Sequence, residues 1–321
     1  MASTFLNIVT ASTIPGLKNS KPLKEPPQRK QKKSFKSLLL AILLVVPNII
    51  LLIVFTYRPL IDNIRLSFYN WNISSTRAAK FIGFDNYIEW ATNPTSWAIV
   101  WQTVVFTFVA VFGSMILGLG LALLLDRKLK GRNLVRSLVF APYVISGAAI
   151  GVAFQFVFDP GYGLIQDLLG RIGIESPQFY RNPHWALFMI TATYVWKNLG
   201  YTFVIYLAAL QGLRKDLDEA AEIDRTPRVR KFMRVTLPQL RPTTFFLSIT
   251  VLLNSFQVFD IINVMTGGGP LETSTTTMVY QVYQETFVNS RAGYGAAVAT
   301  IMFLAVLVIT VVQVRMQDKE Q

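Results

Sequence analysis

The chain has 321 residues, 52% of them hydrophobic and only 15% charged, with a mean hydropathy of +0.41 and a net charge of +13. A soluble domain usually carries about a quarter charged residues, so this composition suits a bilayer better than water. Zero cysteines and one histidine, His184, exclude a disulfide framework, a thiolate metal site and His-cluster metal chemistry.

Met1–Lys36 holds eight Lys and Arg, most of them in the Pro-rich run KPLKEPPQRKQKKS. Such a composition resists folding and favours an anionic lipid surface, so residues 1–36 are expected to form a disordered basic tail. The apolar run that follows exceeds the core of a signal peptide, and no small-residue cleavage site comes after it. It reads as an uncleaved first span.

Six apolar segments reach the roughly 20 residues that cross a bilayer. They lie near Ser37–Tyr57, Ala98–Leu125, Ser137–Phe158, Trp185–Leu210, Thr243–Met265 and Tyr294–Val314. The expected fold is an all-α membrane protein of six transmembrane helices over residues 37–314, with a short C-terminal tail, 315–321. The N-terminal tail, Asp126–Arg136, Gln211–Pro242 and the C-terminal tail together hold 23 of the 31 Lys and Arg, against seven in the other three connections. This asymmetry places both termini in the cytoplasm and explains the net charge without nucleic acid.

The outward connections carry structure of their own. Trp71, Tyr87, Trp90, Trp97 and Trp101 suit the bilayer interface. In FDPGYGLIQDLLGRIGI a Pro-Gly turn precedes Leu164, Ile165, Leu168, Leu169 and Ile172 at near-helical spacing. That pattern predicts a short helix lying on the outer surface.

No G-x-x-x-x-G-K-[ST] loop occurs, so the usual apparatus for nucleotide phosphates is missing from this chain. The Gly118–Leu121 fragment GLGL lies inside a span, where small residues permit close helix packing. His184, beside Trp185 at a span edge, reads as interfacial. No catalytic residue and no metal site are expected.

Polar side chains inside spans are costly unless they find a partner or face water. Lys197 sits in the middle of the fourth span between Trp196 and Asn198, with Tyr201 one turn on along the same face. In the fifth span Asn254, Gln257 and Asp260 recur every third residue beside Phe256 and Phe259, which predicts one polar stripe. Two readings stay open. The amides bond across helices structurally, or they line a passage in which they replace water around hydroxyl groups while aromatic faces pack on a sugar-like ring. Charge alone does not establish a Lys197–Asp260 ion pair.

Gln211–Pro242 concentrates five acids and eight bases in one connection. A helix is expected from near Asp216 or Asp218, its acids favoured by the N-terminal dipole. Ala220, Ala221 and Ile223 leave a small surface beside Glu219 and Glu222, and Pro227 interrupts the helix. Val229, Phe232 and Met233 form a second stripe among Arg228, Arg230, Lys231 and Arg234, which Thr236-Leu237-Pro238 is expected to stop. Two short helices that keep small and apolar faces read better as a docking element than as a solvated loop.

Here the chain resembles the permeases of binding-protein-dependent ABC importers, whose cytoplasmic loop runs E-A-A, a glycine, then I-x-L-P. The matching residues are Glu219-Ala220-Ala221 and Val235-Thr236-Leu237-Pro238. The stretches AALQGLRKDLDEAAEID, VMTGGGPLETSTT and YQVYQETF look like the carbohydrate-uptake branch, with its maltose-type and glycerol-3-phosphate-type members. The likeness runs from Leu38 to Val314.

The resemblance implies a multi-pass protein of the bacterial cytoplasmic membrane, with a permease domain at 37–314 and a coupling loop at 211–242. It implies Glu219 as the principal acidic contact to an ATP-hydrolysing subunit, with Ala220 and Ala221 allowing close approach and Asp224, Arg225, Leu237 and Pro238 completing the motif. The implied partners are a second related permease, two nucleotide-binding ATPase subunits and an extracytoplasmic binding protein. ATP and magnesium would sit on the ATPase, with no cofactor on this chain. The candidate solute path comprises Trp196, Lys197, Asn198, Tyr201, Asn254, Gln257, Phe259 and Asp260. Asn70–Trp90 and Gly267–Phe287 are candidates for binding-protein contact, with Gly267–Pro270 turning the chain back to the outer face. The chain departs from the pattern at one point: Arg225 stands where a glycine is usual, so Pro227 is expected to make the bend instead.

A secondary transporter is the main rival, although it usually needs more spans and, if proton-coupled, more carboxylates at membrane depth. A membrane scaffold or receptor would leave the intramembrane polar stripe without a use.

Overall fold

The computed structural model describes residues 35–74, 78–126, 131–269 and 273–318, with the backbone alone at 35–41, 132, 215, 218, 317 and 318. The expected disorder of the basic tail and the place of Pro270 in the glycine turn lie outside the described residues.

The chain divides into two compact units, Met1–Thr56 and Tyr57–Gln321. In the first, helix α1 (Phe35–Leu52) leads into a π-turn at Ile53–Tyr57. From Ile42 to Thr56 its Ile, Leu, Val and Phe side chains are exposed, as a helix facing lipid would leave them.

The second unit starts with α2 (Arg58–Leu66), which has Pro59 in its first turn. The same sequence of features recurs at Phe232–Thr236, a π-turn followed by α11 (Leu237–Gln239) with Pro238 in its first turn. One cause serves both. A proline ring clashes with the carbonyl four residues back, Phe55 or Arg234, and the wider turn makes room for it. Pro238 therefore does not end the helix, contrary to expectation. The Leu237 N–H bonds to Phe232 O, and the chain runs on through buried Leu240 into α12 (Arg241–Phe256).

After α2 come a two-residue hairpin, β1 (Tyr69–Asn70) antiparallel to β2 (Lys80–Phe81), and α3 (Asp85–Thr92). Helix α4 (Pro94–Leu125) follows, its first turn closed by Asn93 Oδ1 accepting from the Thr95 N–H at 3.0 Å. The next elements are α5 (Arg132–Val144), α6 (Gly147–Val157) and α7 (Leu164–Arg171), the expected amphipathic helix. Helix α8 (Pro183–Gln211) opens with Asn182 Oδ1 accepting from the N–H groups of His184 and Trp185, and Pro183 takes the first position. Then follow α9 (Lys215–Ile223), α10 (Arg228–Lys231), α11, α12, α13 (Asp260–Met265), α14 (Met278–Tyr283) and α15 (Ala292–Asp318).

Six unbroken apolar spans are not what forms. Among the described residues, four helical stretches are long and apolar enough to cross a membrane: Ile42–Leu66, Pro94–Leu125, Arg241–Met265 and Ala292–Met316. The expected third span is a pair, Asn133–Val144 and Gly147–Val157, bent by 102°. The expected fourth, α8, is 29 residues long but falls below the same apolar standard, because Lys197, Asn198 and several tyrosines dilute it. Helix α15 absorbs Arg315–Asp318, which were expected in a tail.

The centre is the pairing of α4 with α8. Phe106 and Ala110 pack with Met189, Ile190 and Tyr194 near one end, and Ala122 and Leu125 with Phe203, Tyr206, Leu207 and Leu210 near the other. Between them a Cβ on Gly118 would overlap the Thr202 side chain, whose Oγ1 donates to Ser114 O at 2.7 Å. Glycine is thus a packing requirement there, as GLGL implied. The interfacial role expected for Trp90 is corrected. Trp90 is 7% exposed in a core with Ile99, Tyr294 and Val298, and the Tyr87 hydroxyl shares a 2.6 Å hydrogen bond with Ser67 Oγ. Trp97 and Trp101 are exposed as expected.

Candidate functional site: a polar cavity between two broken helices

Two helices lose their backbone ladder at the same place in the molecule. Ile145 and Ser146 are extended between α5 and α6, one turn after Pro142. Gln257, Val258 and Phe259 interrupt α12 and α13, with Phe259 at φ −132°, ψ −55°. Non-helical backbone at membrane depth is tolerated where it is buried in protein or lines a cavity. Both breaks border one cavity of about 400 Å³.

Six of the eight expected path residues meet there: Lys197 and Asn198 from α8, Asn254 from α12, Gln257 and Phe259 from the break, and Asp260 from α13. The fifth-span residues do not form a helical stripe, since the helix ends between them; the break itself turns Gln257 and Asp260 to the same space as Asn254. Trp196 and Tyr201 do not line it. Trp196 packs on Phe154 at 5.0 Å between ring centroids, while Tyr201 stacks on Tyr143 at 5.1 Å and bonds Thr250 Oγ1 at 3.4 Å.

Lys197 points its ammonium at the break. Its Nζ donates to the Tyr143 carbonyl at 3.2 Å and lies 5.3 Å from the centre of the Tyr143 ring. Among the described residues no ion pair joins Lys197 to Asp260, whose side chain opens to the cavity beside the first turn of α6. A negative group is favoured at a helix N-terminus.

Sequence reasoning missed Tyr143, Gly147 and Tyr194 in the lining. The signal was present at Gly147–Gly151, a small-x-x-x-small pair. A Cβ on Gly147 would come within 3.1 Å of Asp260 Cβ, and one on Gly151 within 3.0 Å of Val264 Cβ. One turn further, Gln155 Nε2 donates to Val264 O at 2.6 Å. The face 147, 151, 155 thereby fastens α6 along α13.

The charged connection is well defined around α9. Glu219 and Ala220 are exposed, and Ala221 is buried. Asp224 ends the helix, and the expectation about the bend is corrected at the next residue. Arg225 itself takes the left-handed conformation, φ 50°, and Pro227 merely precedes α10. The Arg225 N–H bonds Glu222 O at 3.0 Å and the Thr226 N–H bonds Ala221 O at 2.9 Å, the paired bonds of a Schellman motif in which Gly is the usual residue. Lys231 Nζ meets Glu222 Oε1 at 3.1 Å and ties α10 back to α9. At the base, a hydrogen bond from Arg214 holds the Asp216 carboxyl below the usual carboxylate range.

Gly267 and Gly268 turn the chain after α13 at φ 58° and 88°. Across the hairpin, Arg291 donates to both oxygens of Glu89, at 2.6 and 2.7 Å, and the Gly293 N–H bonds Trp71 O at 3.1 Å. These contacts fasten β1 and α3 to the start of α15.

Apolar helices gathered around a polar cavity where two of them break define a membrane transport protein. The chain belongs to the family described as binding-protein-dependent transport system inner membrane component, whose model matches residues 114–320. It is 35% identical over 277 residues to the sulfoquinovosyl glycerol transport system permease protein SmoG of Agrobacterium fabrum, covering 86% of this chain and 90% of that one. It is 32% identical to the sn-glycerol-3-phosphate transport system permease protein UgpA of Pectobacterium atrosepticum, over 89% of this chain and 96% of that one. A chain from the crystal structure of a bacterial ABC transporter involved in the import of the acidic polysaccharide alginate has the same fold, with a TM-score of 0.78 at 23% identity, covering 89% of this chain and 98% of that one. The protein is thus a permease of a binding-protein-dependent ABC importer and an inner-membrane component.

Proposed function

We propose that the 400 Å³ cavity is this chain's share of the path for a sugar or sugar-like solute, and that α9 and α10 form the handle by which an ATPase subunit moves it. The observation that carries the reading is convergence. Residues from α8, α12, α13 and the break meet where both helix pairs are interrupted. Asn198, Asn254 and Gln257 offer amide donors and acceptors to hydroxyl groups, and Phe259 and Tyr143 offer ring faces. Lys197 adds one positive charge, which suits a solute bearing a phosphate or sulfonate, like the cargo for which the two relatives are named.

In this reading α5 with α6, and α8, complete six crossings, and both termini face the cytoplasm. A second permease related to this one encloses the other side of the path. Two ATPase subunits bind ATP and magnesium, one of them docking on Glu219 and Ala220 of this chain, and the spans alternate between outward and inward openings. The β1–α3 cap and the segment after α13 face the binding protein.

The test is uptake into vesicles that hold the complete complex. Loaded binding protein should stimulate ATP hydrolysis and solute entry together, and Glu219→Ala should reduce both with the permease still inserted. Solute-independent hydrolysis without uptake would overturn the reading. Because the chain has no cysteine, single introduced cysteines also report which side each connection faces.

A further inference from the structure

The charged connection is closed at its base by one side chain outside the family motif. Gln239 Oε1 accepts from the Arg214 N–H at 3.2 Å, and its Nε2 donates to Val235 O at 3.1 Å. A backbone N–H only donates and a carbonyl only accepts, so these two partners fix the orientation of the amide. Arg214 follows the end of α8 by three residues, and Val235 lies in the π-turn that leads to α12. The amide therefore joins the way into the loop to the way out.

The segment between these ends is tied together internally. The Schellman bend and the Glu222–Lys231 pair hold α9 and α10 as one body. The entry to it is weaker, only Gly212, Leu213 and Arg214 between α8 and α9. Gln239 also borders a cavity of about 370 Å³ with Leu123, Asp126, Leu210, Gln211, Arg214 and Thr236, so apolar packing leaves the polar side of that corner open. The exit is anchored by Leu240, fully buried beside Leu210 and Leu247. A pull on the loop thus reaches α12 directly, and reaches α8 through the packing of Leu240 on Leu210, the short entry strand and the Gln239 amide.

We infer that Gln239 is a positioning residue for energy coupling: it makes α8, which carries Lys197 and Asn198, move together with α12 when the loop is displaced. This rests on the reading of α9 and α10 as the ATPase handle. Without the amide the loop still docks and hydrolysis still proceeds, while α8 lags behind.

The experiment compares the full complex, with partner permease, ATPase subunits and loaded binding protein, carrying Gln239→Met, Gln239→Glu or Glu219→Ala. Assembled complex is quantified by size exclusion, and the readout is solute imported per ATP hydrolysed. Gln239→Met should keep stimulated hydrolysis and lower that ratio about fivefold, as expected for losing one such interaction. Gln239→Glu keeps the acceptor for Arg214 and should recover about half of the ratio. An unchanged ratio in Gln239→Met overturns the inference, as does a parallel loss of hydrolysis and uptake at full assembly, which would make Gln239 a support for docking only. Should Gln239→Met not assemble, Gln239→Lys carries the test, since it donates to Val235 but cannot accept from Arg214; a wild-type ratio there overturns the inference. Glu219→Ala without effect on hydrolysis or uptake overturns the handle reading itself, whatever Gln239 does.

Discussion

Helices α4 with α8, and α6 with α13, are both fastened by glycine, yet the two pairs have opposite characters. The first joins unbroken helices of 32 and 29 residues, with Gly118 against Thr202 and hydrophobic clusters at either end. The second joins pieces of 11 and 6 residues that each begin just past a break. Close glycine contact in the first pair makes one rigid wall that can shift only as a body. In the second it makes a small unit connected to the rest through two irregular segments, with the polar cavity between them. A transporter needs both, because a path opens only where one packed body moves against another.

Gly118→Val breaks the rigid half and should have the largest effect. The new side chain meets Thr202 and the backbone of Phe203, an overpacking worth about 3 kcal/mol. Most of the protein should leave the monodisperse peak in detergent size exclusion, and adding Thr202→Ala should return part of it. Gly151→Val tests the other half. Its Cβ presses on Val264 while α4 and α8 stay untouched, so the protein should fold and uptake in vesicles should fall about tenfold, equivalent to about 1.4 kcal/mol. If Gly151→Val abolished folding as Gly118→Val does, the distinction between wall and mobile unit would be lost.

Lys197→Met sharpens the comparison at the residue where the two halves meet. Lys197 stands on α8 and reaches across to the carbonyl at the α5–α6 break. The concentration for half-maximal uptake should rise about tenfold, the size of a lost charge-assisted hydrogen bond. Tyr201→Phe, outside the cavity lining, should change it less than about twofold. Equal effects from the two would place the solute elsewhere.

The wall was easier to read from sequence than the moving unit, for a physical reason. A long apolar helix announces itself by length and composition, so the positions of α4 and α15 follow to within a few residues, and so does the start of α12. Polar side chains within spans also stand out, and Lys197, Asn198, Asn254, Gln257 and Asp260 do converge on one cavity. What composition does not encode is where a helix breaks. The residues around Ile145–Ser146 and Gln257–Phe259 contain no glycine or proline cluster except Pro142 and Gly147, and tertiary packing of α6 on α13 decides the geometry. Tyr143 was missed because its neighbours look apolar and it reaches the cavity only through that break. Trp196 was included because it adjoins Lys197 in sequence, although adjacent residues on a helix point apart.

Arg225→Gly should give the smallest effect, and it tests whether the charged connection belongs with the rigid half. The Schellman bend holds Arg225 at φ 50°, a conformation that costs a residue with a Cβ about 1 kcal/mol relative to glycine. The cost is sustained because the bend satisfies the ends of α9 through Arg225 and Thr226, and because Lys231 pairs with Glu222 across it. Glycine removes the steric cost but also loosens the unfolded chain, so the net gain should stay below about 1 kcal/mol. Hydrogen exchange at the Thr226 amide, which is bonded to Ala221 O, should slow by no more than about fivefold. Uptake should remain within about twofold of wild type, since the contacts at Glu219 and Ala220 are untouched. Arg225→Val, with a β-branched side chain in the same conformation, should speed that exchange instead. Were Arg225→Gly to speed exchange as well, the bend would depend on the arginine side chain rather than on the backbone conformation it tolerates, and α9 and α10 would not move as one body.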